Sequence, residues 1–105
     1  MKIAIFGTGA TGKSIAELAA HYGHTVVAFG DAERAVVEND GVNISELFNE
    51  GESNNIFTND DGSQILNSNY DVFVEASDIS LEGTESSLEN VKQALDLNKD
   101  VVLAN

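Results

Sequence analysis

Three glycines in six residues, set between a short apolar run and an amphipathic one, constrain this chain more than any other feature. Gly7-Thr8-Gly9-Ala10-Thr11-Gly12 directly follows Lys2–Phe6, which reads Lys-Ile-Ala-Ile-Phe. A short apolar run that ends in glycines predicts a buried strand, central in a parallel sheet. Downstream, Ile15, Leu18, Ala19 and Tyr22 fall at i, i+3, i+4 and i+7. That spacing predicts a helix with those four side chains inward. Gly23 stands where a helix C-terminus takes glycine. Thr25–Phe29 is β-branched and apolar, and predicts a second strand. Strand, helix and strand within thirty residues make a βαβ unit with a right-handed crossover.

The glycine loop fits two phosphate-binding patterns. Gly7, Gly9 and Gly12 match G-x-G-x-x-G, and the same residues with Lys13 and Ser14 match G-x-x-x-x-G-K-S. Both patterns hold phosphate with backbone N–H groups at a helix N-terminus. In the first, the glycines allow the turn, the approach of a pyrophosphate, and close helix–strand packing. In the second, Lys13 reaches the β- and γ-phosphates of a nucleoside triphosphate and Ser14 binds Mg²⁺. That reading also needs an acid at the end of another strand, where the chain offers Glu75. The expected start of the helix near Ala10 favours the dinucleotide pattern and leaves Lys13 and Ser14 as solvent-facing helix residues. Cofactor choice should then rest on the end of the second strand. Asp31 stands 19 residues after Gly12; an acid there accepts from the adenosine ribose hydroxyls of NAD. Arg34, the sole arginine, suits a 2′-phosphate and tips the expectation toward NADP over NAD.

Charge narrows the partners. Acids outnumber bases 18 to 5, for a net charge of −13. Residues 1–30 carry Lys2, Lys13 and one acid, Glu17, whereas residues 31–105 carry 17 acids against Arg34, Lys92 and Lys99. The glycine segment is therefore where an anion meets least repulsion. The balance disfavours nucleic acid and anionic lipid surfaces. It suits a salt-rich medium, in which counterions screen the repulsion. The chain of 105 residues is short enough for one domain, 1–105, and has no cysteine for a disulfide, thiolate metal site or nucleophile. No apolar run approaches the roughly 20 residues that cross a bilayer, and no signal peptide is evident, so a cytoplasmic location is expected.

Elsewhere the signals are weaker. Ile44–Glu50 can form a short helix with Ile44, Leu47 and Phe48 inward and Asn43 or Ser45 as its cap. Gln64–Leu66 reads as a helical turn and Asn55–Thr58 as a short strand. Asp71–Glu75 predicts a strand, Ser86–Leu97 a helix with Leu88, Val91, Ala94 and Leu95 inward, and Asp100–Leu103 a final strand. Asn98 can end that helix. The pattern is β-α-β, an irregular stretch, then β-α-β: a Rossmann-type open, mostly parallel α/β sheet with helices on both faces. His21 and His24 read as residues of a helix C-terminus, and Asp78, Glu82 and Glu85 as surface acids rather than a metal site. No metal and no catalytic residue is assigned.

Val72-Phe73-Val74-Glu75-Ala76-Ser77, Leu81-Glu82-Gly83-Thr84-Glu85 and Asn98-Lys99-Asp100-Val101-Val102 with Ala104-Asn105 resemble the nucleotide-binding domain of homoserine dehydrogenases. Asp31 to Val36 and Asn39-Asp40-Gly41-Val42-Asn43-Ile44 look similar to archaeal members. The resemblance spans nearly the whole chain. It implies reduction of aspartate semialdehyde to homoserine with NADPH or NADH. It implies that Gly7, Thr8, Gly9, Ala10, Thr11 and Gly12 hold the pyrophosphate, that Arg34 lies near the adenosine ribose, and that Ala76 and Ser77 line the nicotinamide side. Thr8, Thr11, Asp78, Ser80 and Leu103 depart from the family's usual residues. The family's substrate and dimer-forming region would follow Asn105, so the 105 residues alone are expected to bind cofactor without turnover, with any homodimer formed through that region. A nucleotide-sensing or assembly domain without catalysis is a further alternative.

Overall fold

The computed structural model describes residues 1–47, 56–77 and 84–104, of which 84–86 as backbone alone. Six strands form one sheet: β1 (Lys2–Phe6), β2 (Thr25–Gly30), β3 (Arg34–Val37), β4 (Thr58–Asn59), β5 (Val72–Glu75) and β6 (Asp100–Leu103). Their order is β4-β3-β2-β1-β5-β6. β1, β2, β5 and β6 run parallel, whereas β3 and β4 pair antiparallel at one edge. The expected mostly parallel α/β sheet is what forms.

Alternation along the strands builds two cores. Ile3 and Ile5 of β1, with Val72 and Val74 of β5, face α1 (Ala10–His21) and α2 (Ile44–Leu47). Ala4, Phe6 and Phe73 face the other way, toward α3 (Ser63–Leu66) and α4 (Thr84–Asp96). Helices therefore cover both faces. The pairing of β1 with β2 slips between Ile3 and Ala4, which sets Val27 and Ala28 of β2 on the same face. That slip is a β-bulge, with two residues opposite one.

Both long helices turn differently from the expectation. The buried stripe of α1 is Gly12, Ala16 and Ala19, while Leu18 and Tyr22 are 57% and 73% exposed. Ile15 packs partly buried against the core and Ala19 is buried, both as expected, while the glycine contact described below brings α1 close to the sheet at Gly12. In α4, Ala94 is buried, whereas Leu88 and Leu95 are 63% and 55% exposed. Its inward stripe instead carries Ser87 and Asn90, which hydrogen-bond a buried carboxylate of β5. Asn98 ends this helix in the left-handed region (φ 61°), as expected.

The middle of the chain holds the other corrections. The strand expected at Asn55–Thr58 forms instead at Thr58–Asn59, and β3 was absent from the sequence reading. The helix expected over Ile44–Glu50 is described as Ile44–Leu47, and residues 48–50 lie outside the described ones. Among the described residues no helix is long and apolar enough to cross a membrane.

Candidate nucleotide-binding site

At the carboxyl ends of β1, β2 and β5 the chain is tied together by its backbone. Gly7 N–H donates to the Gly30 carbonyl (2.7 Å) and Ala76 N–H to the Phe6 carbonyl (2.8 Å). The chain leaves β1 toward β2 on one side and later returns to β5 on the other. This is the switch point of the sheet, where open α/β folds bind ligands.

Two glycines of the loop serve the fold. Gly7 has φ +138°, and a Cβ there would sit 2.5 Å from the Ala76 carbonyl oxygen. A Cβ on Gly12 would lie 1.8 Å from the Gly7 carbonyl oxygen. The third glycine is different. Gly9 is in ordinary extended backbone (φ −76°) and a Cβ there would meet nothing within 4 Å. Packing does not demand glycine at that position. The open space lies over the N-terminus of α1, which has no side-chain cap and no acid in its first turn. The first helical bond is Lys13 N–H to the Gly9 carbonyl (3.1 Å). The preceding N–H groups lack intrahelical acceptors and face an anion with the positive end of the helix dipole.

A cleft of about 160 Å³ opens there, lined by Gly7, Thr8, Gly9 and Thr11 on one wall and by Asp31, Ala76 and Ser77 on the others. Larger hollows, such as one of about 390 Å³ beside Val37 and Gln64, lie away from the parallel strand ends. The cleft therefore gathers Gly7, Thr8, Gly9, Thr11, Asp31, Ala76 and Ser77 from the expected set; Ala10 and Gly12 belong to α1 behind it.

Asp31 follows β2 and organises the turn into β3. Its Oδ1 accepts from the N–H groups of Glu33 (2.8 Å) and Arg34 (3.1 Å), and its Oδ2 accepts from the Thr8 hydroxyl (2.8 Å). Partial burial alone would raise its pKa. The Glu33 N–H, the Thr8 hydroxyl, the Arg34 N–H and the Arg34 charge outweigh that and hold it below the usual aspartate value. Asp31 is thus an ionised acceptor fixed at one end of the cleft. Arg34 is the first residue of β3, outside the cleft lining, and its guanidinium lies 4.4 Å from the Phe57 ring centroid.

At the other end, Ala76 and Ser77 follow β5. Ser77 donates its hydroxyl proton to Glu75 Oε1. Glu75 is fully buried and also faces Ser87 Oγ (3.3 Å) and Asn90 Nδ2 (3.5 Å) of α4. Sequence reasoning weighed Glu75 only as a magnesium ligand. An acid closing the apolar alternation Val72-Phe73-Val74 was the signal that it is held by donors.

The geometry does not fit the triphosphate alternative. The loop spans only Gly7 to Gly9, and Gly12, Lys13 and Ser14 lie inside α1, where Ser14 is exposed. Glu75 faces α4, not Ser14. His21 ends α1, as expected, and is exposed. Asp78 and Glu82 lie outside the described residues, as does the side chain of Glu85. Among the described residues no cluster of histidine and acids suits a metal ion.

Comparison with known proteins agrees with this geometry. A putative homoserine dehydrogenase from Archaeoglobus fulgidus superposes with a TM-score of 0.77 at 25% identity, covering 100% of this chain and 34% of that one. Homoserine dehydrogenase from Thermoplasma acidophilum gives 0.75 at 19% identity, with 100% and 35% covered. The chain thus spans about a third of the length of these structures. No curated protein matches it. Residues 1–90 match the family model of the glutamate/leucine/phenylalanine/valine dehydrogenases. With its parallel sheet, its glycine loop and its cleft at the switch point, the chain belongs to this dehydrogenase family.

Proposed function

We propose that the chain is the cofactor half of a homoserine-dehydrogenase-like enzyme, which reduces aspartate semialdehyde with NADPH or NADH. The observation that carries the dinucleotide reading is Gly9, a glycine that packing does not require, beside uncapped helix N–H groups. There the pyrophosphate would rest against Gly7, Thr8, Gly9, Ala10, Thr11 and Gly12. Asp31 would accept from the adenosine ribose hydroxyls. Arg34, close enough to influence Asp31, would swing from Phe57 to a 2′-phosphate and favour NADP over NAD. Ala76 and Ser77 would border the nicotinamide, which supplies the hydride when bound.

Among the described residues that line the cleft, Asp31 is the one acid, and it is held ionised, so none of them offers a proton to the carbonyl oxygen of a substrate. The homoserine reading rests on the Val-Glu-Ala-Ser and Ala-Asn blocks and on the likeness to the Archaeoglobus structure. The family-model match favours a second reading, oxidation of glutamate, leucine, phenylalanine or valine.

A chimera tests the first. This chain replaces the superposed third of the Archaeoglobus protein, and absorbance of reduced cofactor is followed with homoserine. Turnover of homoserine by the chimera, with none by the chain alone, is expected. A folded chimera that binds NADPH or NADH and turns over no homoserine would count against the reading.

A further inference from the structure

Glu75 is the one charged side chain among the described residues that is wholly buried. It occupies a position on β5 where the alternation calls for an apolar residue, facing α4 beside Phe73. Burying a carboxylate is costly unless donors surround it. Here the donors are the Ser77 hydroxyl, the Ser87 hydroxyl and the Asn90 amide. The stripe of α4 that meets the sheet carries these polar groups while Leu88 and Leu95 face outward. Helix orientation has been given over to this carboxylate.

The consequence falls on Ser77. A serine hydroxyl has one proton and two lone pairs. The Ser77 hydroxyl donates to Glu75 Oε1, which commits its proton. Ser87 Oγ lies 3.1 Å from Ser77 Oγ, and its own proton goes to Ser77 or to Glu75. In either case Ser77 has no proton left to give. Ser77 lines the cleft, and lone pairs are all that its hydroxyl has left to offer there.

We propose that Glu75 is a positioning residue that fixes Ser77 as a hydrogen-bond acceptor, so that this end of the cleft selects a ligand presenting an N–H donor, the carboxamide nitrogen of a nicotinamide ring. This rests on the dinucleotide reading above. It adds which end of the carboxamide is recognised, and that the choice is made by a residue that does not touch the cofactor.

The test compares NADH with its 3-acetylpyridine analogue, in which a methyl group replaces the carboxamide nitrogen and the carbonyl is kept. Affinities of the 105-residue chain for both are measured by titration. The native chain prefers NADH by about tenfold, the scale of one hydrogen bond gained or left unmade. Glu75→Met keeps the shape and removes the acceptor. The freed Ser77 proton then serves either carbonyl, and the preference falls to near one. Ser77→Ala gives the same loss while Glu75 keeps its Ser87 and Asn90 donors, and stands should Glu75→Met fail to fold. A purely structural Glu75 would weaken both ligands equally and leave the ratio unchanged, which overturns the proposal. Equal affinities in the native chain overturn it as well. Failure of the native chain to bind either dinucleotide would instead refute the dinucleotide reading beneath it.

Discussion

Replacing two glycines of one loop should separate folding from binding. In Gly12→Ala the new methyl lies 1.8 Å from the Gly7 carbonyl oxygen and 2.8 Å from its carbon. Both atoms are backbone, so relief requires the loop or α1 to move. Overpacking of this kind costs about 3 kcal/mol, and the helix preference for alanine returns about 1 kcal/mol. The net, about 2 kcal/mol, corresponds to a fall in Tm of about 10 °C for a domain of this size. Gly9→Ser should do the reverse. Its Cβ meets nothing, its backbone is unstrained, and α1 lacks a side-chain cap. Serine at an N-cap is worth a few tenths of a kcal/mol over glycine, so Tm should hold or rise slightly. That same hydroxyl takes up the N–H groups meant for phosphate, and the side chain fills the space above them. NADH and NADPH affinity should fall more than tenfold. Thermal unfolding and fluorescence titration of both variants check this. An unchanged melting point for Gly12→Ala would refute the close-packing argument, and native affinity in Gly9→Ser would refute the role given to the open space.

Four further outcomes follow from other residues. Arg34→Ala should weaken NADPH by about tenfold and NADH little, as the loss of one charge-assisted contact implies; equal effects in parallel titrations would remove Arg34 from cofactor choice. Asp31 titrates below the usual aspartate value when folded, so it adds stability that is complete above that value and is lost as pH falls through the lowered one. Acid unfolding of Asp31→Asn should accordingly show a shallower loss of stability than the native chain below about pH 4. The Tyr70 hydroxyl is buried with no hydrogen-bond partner among the described residues, so Tyr70→Phe should raise stability by about 1 kcal/mol in a denaturant melt. With a net charge of −13, the chain should also melt higher as KCl is added; a flat response would count against an acidic surface suited to salt.

How much the sequence disclosed varied with the range of the interactions. β1, α1 and β2 were legible because their signals are local: an apolar run, a helical period, glycines at a turn. The cleft residues Gly7, Thr8, Gly9, Thr11 and Asp31 were legible for the same reason, lying in the glycine loop or at a strand end, whereas Ala76 and Ser77 came from the resemblance to homoserine dehydrogenases. The inward stripes of α1 and α4 were not. A period identifies a helix, but the partner decides which stripe is buried. Gly12 packs against Gly7 and sets Ala16 and Ala19 beneath α1, and buried Glu75 draws Ser87 and Asn90 inward on α4. β3 was hidden because Arg34–Val37 is four residues long and owes its place to the Asp31 turn that folds it back on β2. The bond from Thr8 to Asp31 joins residues 23 apart and had no local signal.

The most direct measurement is a calorimetric titration of the chain with NADPH, NADH and Mg-ATP, in the native form and in Lys13→Ala. Saturable binding of a reduced nicotinamide dinucleotide is the predicted result, unchanged by Lys13→Ala because Lys13 lies within α1, with no binding of Mg-ATP. Binding of Mg-ATP that disappears in Lys13→Ala, with neither dinucleotide bound, would contradict the account.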